Sequence, residues 1–408
     1  MMTSNPIKGY SYEGVDLTNL DIYTSARMDF GKASMLPAVA YQSKNFSELE
    51  DEKLWTRSWV AVGTLMQIPN PGDLLPYTVG NHGIHVERQQ DGSLIGRFNK
   101  AQHGGCRSIP GQCKTGKKTK CSYTSCGYSR DRDVIKADEL GDDNPAMHQY
   151  IGLVPERLLP VKVETFGPFI FINLDPDSLP LKDSLTELEQ QIEGYLQSPF
   201  THCVQSWIET KCNWKLAGHA FIDEPSKAET SCSPVTDETV AKEKTLSREY
   251  AWKSSEIDTK ELNFAAGLKL PPLSEQLANE TNATFCWLFP NLLLCLLPTH
   301  IVYVVLQPLS MGACLQRVSV LTPEGSDVAR VELLQKNWVE FFRSTVASVE
   351  KKQAELELAC SVSNRAALAP LGSVEDSFGA YHFQQYLLDK LLYEHEYFMN
   401  SPMYMHAE

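Results

Sequence analysis

Two short stretches, about fifteen residues apart, carry side chains of the types that bind metals. The first offers His103 and Cys106, and the second offers Cys121 and Cys126. A further thiol, Cys113, lies between them. One imidazole and three thiolates suit a closed tetrahedral zinc site, because zinc prefers nitrogen and sulfur ligands in that geometry. The spacing is therefore compatible with a structural zinc site.

The residues alone leave three interpretations of these stretches open. They hold zinc, or they are free thiols without metal, or they hold a rearranged iron–sulfur cluster. The chain has 11 cysteines, and its N-terminus lacks a signal-peptide pattern, which together favour a reducing, cytoplasmic compartment. Disulfides are disfavoured for the same reason.

A second group of candidate ligands lies near the middle of the chain. His219 and Asp223 are four residues apart, so a helix places them on one face, where both can reach a metal. Glu224 or Glu229 can join them. The competing interpretation is a simple His–Asp hydrogen bond at a surface or beside a site. The helix is expected to end near Pro225, because a residue that precedes proline avoids the α region.

The bulk composition places the chain among ordinary globular proteins. It has 408 residues, with 42% apolar and 22% charged residues, which is enough for two domains with separate cores. The formal net charge of −14 argues against nucleic-acid binding, because there is no basic excess to displace counterions. The longest apolar run, Leu292 to Leu297, is too short to span a bilayer.

The first part of the chain is predicted to be a small all-β domain preceded by an arm. The arm covers residues 1–45, and a short helix capped near Ser43 or Asn45 follows it. Apolar runs separated by turn residues then predict a series of short strands within residues 46–160. These strands are residues 58–63, 77–80, 84–88 and 94–98.

The rest of the chain, residues 161–408, is predicted to be an α+β domain. The polar stretch 225–280 has little period and is interpreted as a lid or an excursion over a pocket. The predicted strands are residues 168–174, 285–293, 301–309 and 317–321, and the predicted helices are residues 181–196, 331–360 and 379–398.

The two metal-binding stretches resemble the cluster loops of Rieske-type ring-hydroxylating and choline-type oxygenase α subunits. The family pattern is Cys-x-His, a spacer, then Cys-x-x-His, and His103 and Cys121 match it. Ala101 stands at the position of the first cysteine, and Thr124 at that of the second histidine. The resemblance covers about residues 36–398. It implies an N-terminal Rieske-like all-β domain followed by a mixed α+β, helix-grip-like domain of catalytic type.

In the same family a mononuclear iron is held by two histidines and one carboxylate. The run from Asn213 to Lys215 matches the opening of the helix that leads to the histidine pair. The positions of the pair fall on Ser226 or Lys227 and on Ser231 or Cys232, and this chain has no histidine between His219 and His300.

The third ligand of the family, an aspartate on a late helix, also has no counterpart. No aspartate lies between Asp327 and Asp376, and Glu355 and Glu357 are the nearest carboxylates. Asp223 or Glu224 stands where the family has a carboxylate that bridges neighbouring subunits. The resemblance therefore leads us to expect neither a Rieske [2Fe-2S] cluster nor a mononuclear iron.

Three hypotheses about function follow from this resemblance, and whether the chain is an enzyme stays open. The favoured one is an accessory subunit that partners an active homologous α subunit, or itself, in the family's ring of three. The alternative is a metalloenzyme with rearranged ligands around His219, Asp223 and a glutamate, acting on a small organic substrate. A ligand-binding scaffold is the third.

Overall fold

A computed structural model describes most of the chain, and every structural statement below refers to the residues it describes. They are residues 10–80, 82–98, 160–197, 199–202, 205–223, 249–255, 270–280, 283–362, 364–374 and 378–399. The predicted metal loops, including His103, Cys106, Cys113, Cys121 and Cys126, lie outside these ranges.

The described residues form seven α-helices and seventeen strands. The helices are α1 Val39–Gln42, α2 Lys44–Glu50, α3 Leu181–Leu196, α4 Trp214–Asp223, α5 Val328–Val362, α6 Asn364–Ala367 and α7 Phe378–Met399. The strands are β1 Ser11–Tyr12, β2 Val15–Asp16, β3 Ser34–Met35, β4 Val60–Thr64, β5 Leu74–Val79, β6 His82–Arg88, β7 Leu94–Phe98, β8 Pro160–Phe166, β9 Phe169–Asn173, β10 Phe200–His202, β11 Ser206–Thr210, β12 Tyr250–Ser255, β13 Ala283–Leu288, β14 Leu292–Leu297, β15 His300–Ser310, β16 Ala313–Pro323 and β17 Leu371–Ser373.

The chain divides into two compact units. Residues 55–202 form one, here called the β unit, and residues 1–54 with 203–408 form the other, here called the α+β unit. The β unit contains an antiparallel sheet in the order β4-β9-β8-β7-β6-β5. Strands β4, β5 and β9 are buried along their whole length, which fits apolar runs with little alternation.

The core of the α+β unit is a second antiparallel sheet covered by helices. Strands β11, β16, β15, β14, β13 and β12 pair in that order. Helix α4 packs on β13, β15 and β16 and also contacts α5 and α7. The sheet and the two long helices thus hold α4 from several sides. The β unit, which is rich in strands but also contains helix α3, and the α+β unit agree with the α+β fold class that the sequence predicts, so that prediction is confirmed.

Several predicted elements are found with nearly the predicted bounds. The Ser43 side chain caps α2 by accepting a hydrogen bond from the Phe46 N–H at 3.3 Å, because the first N–H groups of a helix have no partner within it. Helices α3, α5 and α7 match the predicted segments, since their apolar residues recur at the helical period over long stretches.

Other predicted elements differ from the structure. The segment 285–293 is not one strand but the end of β13, a turn at Phe289–Asn291 and the start of β14. A proline at this point cannot donate to a sheet, so the chain turns instead. The second half of the predicted strand, now β14, pairs with β15, and the first half, now β13, pairs with β14 on its other side. The polar stretch predicted as a lid contains a strand, β12, at the edge of the described sheet.

The units also divide at other places than the predicted domains. The predicted boundary at residue 160 is the first residue of β8, whose pairing with β7 and β9 keeps it in the β unit. The described part of the predicted arm belongs to the α+β unit, and its residues Leu17, Tyr23 and Leu36 are fully buried. Scattered apolar residues without a period gave no signal of this burial.

A membrane-spanning helix is not found within the described ranges, where no helix is both long and apolar enough to cross a bilayer.

Candidate functional site

Helix α4 begins at an asparagine that joins four parts of the α+β unit. Asn213 Oδ1 accepts a hydrogen bond from the Lys215 N–H at 3.1 Å, which caps the helix. Asn213 Nδ2 donates to the backbone oxygens of Tyr41 at 3.3 Å and Met311 at 2.8 Å. The Asn213 N–H donates to Gln353 Oε1 at 2.9 Å. This residue therefore fixes the start of α4 relative to α1, α5 and the turn between β15 and β16.

A buried ion pair ties α4 to α2. Lys215 Nζ donates to Glu50 Oε1 at 2.6 Å, and both side chains are almost completely buried. The rings of Tyr41, Phe46 and Trp214 lie 5.2–5.4 Å from the ammonium group, within the range of cation–π attraction. Each charge compensates the other in a site where neither is solvated.

The same burial perturbs the titration of the pair. Burial raises the pKa of the Glu50 carboxyl, which the Lys215 charge and hydrogen bond oppose. Burial lowers the pKa of the Lys215 ammonium group, which Glu50 opposes. Perturbed groups can mark active sites, but buried structural pairs show the same effect. Enclosure by protein side chains on every side favours a structural role here.

The middle of α4 is pressed against an aromatic ring. A Cβ atom at Gly218 would lie 2.2 Å from Trp287 Cζ2 and 2.3 Å from Cη2, so only glycine permits this contact. The Trp287 ring is fixed by stacking on Phe383 at 4.2 Å between centroids and by donating from Nε1 to the Pro290 oxygen at 2.9 Å. The ring has little freedom to move away from α4.

We expect Gly218→Ala to lower the free energy of unfolding of the α+β unit by about 2–3 kcal/mol, because overpacking a filled core forces side chains and backbone to shift. Urea unfolding followed by tryptophan fluorescence measures the change. Gly312→Ala is the matched control, since the nearest atom to its added Cβ would be Gln353 Nε2 at 3.4 Å. Equal stability of Gly218→Ala and wild type would contradict the packing argument.

His219, a predicted catalytic or metal-binding residue, lies in an aromatic cluster. Its side chain is buried and packs edge-to-face against Trp287 and Phe383, each 5.8 Å away between centroids. Its Nε2 atom has no hydrogen-bond partner among the residues that the structure describes. Burial, together with the charges of Lys352 and Lys215, lowers the pKa of His219 to about 3. The imidazole is therefore neutral at pH 7 and packs as an aromatic ring.

Three buried histidines make stability depend on pH. Burial lowers the pKa values of His85, His219 and His300 from 6.5 to about 3. Between pH 6.5 and pH 3 the unfolded chain binds more protons at these groups than the folded chain does. Their contribution is therefore fully present above pH 6.5 and is lost as the pH falls through this window.

We expect the free energy of unfolding to fall between pH 7.5 and pH 5, by up to about 2 kcal/mol for each of these histidines. Urea unfolding at half-unit pH intervals measures the slope. His219→Phe should reduce the slope for the α+β unit, while an exposed change such as Lys336→Gln should leave it unchanged. Stability that stays constant or rises as the pH falls from 6.5 to 5 would contradict the assignment of neutral buried histidines.

The other predicted ligands are not brought to a common site by the described residues. Asp223 is the last residue of α4, and its side chain and all of Glu224 and Glu229 lie outside the description. On α5, Glu355 is exposed and pairs with Lys351 at 3.9 Å, and Glu357 Oε1 accepts from Gln353 Nε2 at 3.2 Å. Within the described ranges, no group of three or more His, Cys, Asp or Glu residues could hold a metal.

A small cavity lies between α4, α5 and the sheet of the α+β unit. It offers about 20 Å³ of space for the centres of water molecules. The residues that line it are mostly apolar. They are Ala217, Ala220, Phe221, Phe285, Gln316, Phe341, Phe342, Thr345 and Val349.

The sequence predicted α4 but not the partners that hold it. Glu50 and Gly218 carry no local signal, because their roles depend on residues distant in the chain, such as Lys215 and Trp287. The run from Asn213 to Lys215 was the local signal in the sequence. It indicated where α4 begins, and Asn213 caps the helix there.

Comparisons with known proteins bear on the resemblance to oxygenase α subunits. Residues 200–352 match the family model described as "Ring hydroxylating alpha subunit (catalytic domain)". Among curated proteins, the chain is 27% identical over 198 residues to chlorobenzene dioxygenase subunit alpha of a Cupriavidus species, which covers 47% of this chain and 42% of that protein. It is 28% identical over 182 residues to glycine betaine monooxygenase oxygenase subunit of Pseudomonas aeruginosa, covering 44% and 41%. The matches thus span less than half the length of these relatives.

Solved structures of similar fold cover more of the chain. The quaternary ammonium Rieske monooxygenase CntA, in complex with an inhibitor, has a TM-score of 0.61 at 18% identity, covering 90% of this chain and 98% of that one. Naphthalene 1,2-dioxygenase from Rhodococcus, bound to indole, has a TM-score of 0.59 at 14% identity, covering 88% and 94%. At these identities the likeness shows the fold. Together with the matched sequences, it confirms the resemblance stated above.

Proposed function

We propose that this chain, a relative of the Rieske-type oxygenase α subunits, is a non-catalytic accessory subunit that assembles with an active homologue. The observation that carries the proposal is the donor set of the chain. The two centres of such an enzyme need specific side chains, and at several of the matching positions this sequence has residues that cannot replace them.

The residues at the cluster loops do not fit a Rieske cluster. Such a cluster needs two thiolates on one iron and two imidazoles on the other. The matching positions hold Ala101, His103, Cys121 and Thr124. Alanine has no donor atom, and a threonine hydroxyl is a poor replacement for imidazole. No electron-transfer step is therefore assigned to these loops.

The residues that follow α4 do not fit a mononuclear iron site either. A facial triad needs two histidines and one carboxylate. This chain has no histidine between His219 and His300, so no shift of the alignment restores the pair. His219 itself is enclosed by aromatic rings on α7 and β13. An oxygenase reaction is accordingly not assigned to this chain.

The contacts that position α4 are made by side chains and backbone groups of the chain itself. The Asn213 cap and the Lys215–Glu50 pair hold this helix in a defined position without any metal. In the cluster loops, His103, Cys106, Cys121 and Cys126, with Cys113 nearby, offer a donor set for one structural zinc ion instead. A folded chain that carries no redox centre can still occupy a place in an oligomer, which is the role of a supporting subunit.

Restoring the missing donors tests the loss of the cluster directly. We expect wild-type protein, matured in cells that assemble iron–sulfur clusters, to lack a visible two-iron chromophore. The double variant Ala101→Cys with Thr124→His should acquire visible absorbance and acid-labile sulfide. A chromophore of equal strength in wild type would overturn the proposal, and a folded double variant without any cluster would show that other features of the loops prevent binding.

Co-expression with an active homologous α subunit tests the accessory role. We expect a mixed oligomer in size-exclusion chromatography and native mass spectrometry, with oxygenase turnover that depends on the active partner alone. A chain that forms only a ring with itself would restrict the proposal to self-assembly. Oxygen-dependent turnover by the isolated chain would contradict it and favour an enzyme with rearranged ligands.

A further inference from the structure

The cavity beside α4 is narrowed by phenylalanine side chains. The rings of Phe221 on α4 and Phe342 on α5 are stacked, with centroids 5.9 Å apart and an angle of 16°. Phe285 on β13 meets Phe221 edge-on at 5.7 Å and 69°. All three side chains are buried. These rings come from three separate elements, and all three line the cavity.

The remaining space is too small for an organic ring. A water molecule needs roughly 10–15 Å³ of space for its centre. The cavity offers about 20 Å³ on the same measure, which is room for one or two water molecules. Gln316 and Thr345 are the polar residues of its lining.

The phenylalanine at position 342 is well fixed. Its ring also lies 6.0 Å from Trp338 and 5.4 Å from Phe341 between centroids. A ring held by neighbours on both sides does not swing aside without breaking several contacts. The small size of the cavity therefore depends on the packing of α5.

We propose that Phe221, Phe285 and Phe342 are specificity-determining residues that close this cavity to ring-sized apolar ligands. Removal of the Phe342 ring is expected to open a site for a single aromatic ring such as benzene. The inference goes beyond the proposed function, because it concerns the space between α4 and α5 and not the metal donors.

Benzene binding to the full chain tests this inference. We expect no thermal shift for wild type in benzene-saturated buffer. Phe342→Ala should gain about 3–5 °C in Tm at ten times its Kd. Phe342→Leu, which removes less volume and is the milder change, should bind more weakly. Circular dichroism establishes that each variant is folded before the titration.

A pair of second changes locates the bound benzene. In the Phe342→Ala background, Ala220→Leu fills the cavity from α4 and should abolish the shift. Ala347→Leu, at an exposed position on α5, is the matched control and should leave it unchanged.

Three outcomes would overturn the inference. They are benzene binding by wild type with the affinity of the variant, absence of binding by folded Phe342→Ala and Phe342→Leu, and binding that survives Ala220→Leu. None of these readouts depends on a metal or on turnover, so they are distinct from a failure of the proposed function.

Discussion

Lys215→Met is expected to lower the free energy of unfolding of the α+β unit by about 3–5 kcal/mol, because it leaves one partner of a buried ion pair without compensation. The Glu50 carboxylate would lose an ammonium group at 2.6 Å in a site closed to water. The cation–π contacts with Tyr41, Phe46 and Trp214 would be lost as well. Urea unfolding at pH 7.5 measures the effect.

Two controls separate the loss of the pair from other effects of the change. Adding Glu50→Leu to Lys215→Met removes the isolated charge and should recover most of the lost stability, because a well-packed apolar pair replaces buried ions at little cost. Lys336→Met removes an exposed lysine that lies 4.0 Å from Glu340 and should change stability by less than about 1 kcal/mol. A single variant as stable as wild type would contradict the role assigned to the pair.

Asn213→Ala is expected to cost about 3–4 kcal/mol, since it removes a helix cap and leaves buried backbone groups without partners. The lost bonds are those to the Lys215 N–H and to the Tyr41 and Met311 oxygens. Because the cap fixes the start of α4, hydrogen exchange should also increase in the first turn of this helix.

Asn213→Asp divides the effect into two parts. Its carboxylate keeps the cap acceptor but cannot donate to the Tyr41 and Met311 oxygens. We expect it to retain protection in the first turn of α4 while still losing global stability. If both variants lose the same free energy of unfolding and both show faster hydrogen exchange in the first turn of α4, the capping bond cannot be separated from the bonds to Tyr41 and Met311, and this prediction would be wrong.

These two predictions explain why the Asn-Trp-Lys run is more informative about structure than about chemistry. Asn213 caps α4, Trp214 packs on Phe383 at 5.4 Å, and Lys215 pairs with Glu50. None of these roles needs a metal. The run can therefore be retained in a chain that is proposed to bind no iron.

Local patterns predicted the elements of the fold well. The Ser43 cap and the apolar periods of α3, α5 and α7 depend on residues close in the chain, so a sequence contains the whole signal. Long-range contacts did not give such a signal. The Glu50 partner of Lys215 is 165 residues away, and nothing near either residue indicates the pair.

The candidate site was predictable only in part for the same reason. His219 was selected because imidazole and carboxylate stand four residues apart, a pattern that contains no information about Trp287 or Phe383. The three rings that narrow the cavity come from α4, β13 and α5 and meet only in the folded chain. The proposed loss of donor atoms, in contrast, is argued from residue types in the sequence alone.

The most direct test of the proposed function is the metal and sulfide content of the freshly purified wild-type chain. Iron, zinc and acid-labile sulfide are determined together, per chain, after expression in cells that assemble iron–sulfur clusters. We predict close to one zinc per chain, held by the set that includes His103 and Cys121, with neither iron nor sulfide. Two or more irons with matching sulfide, together with oxygen-dependent turnover, would contradict a non-catalytic subunit.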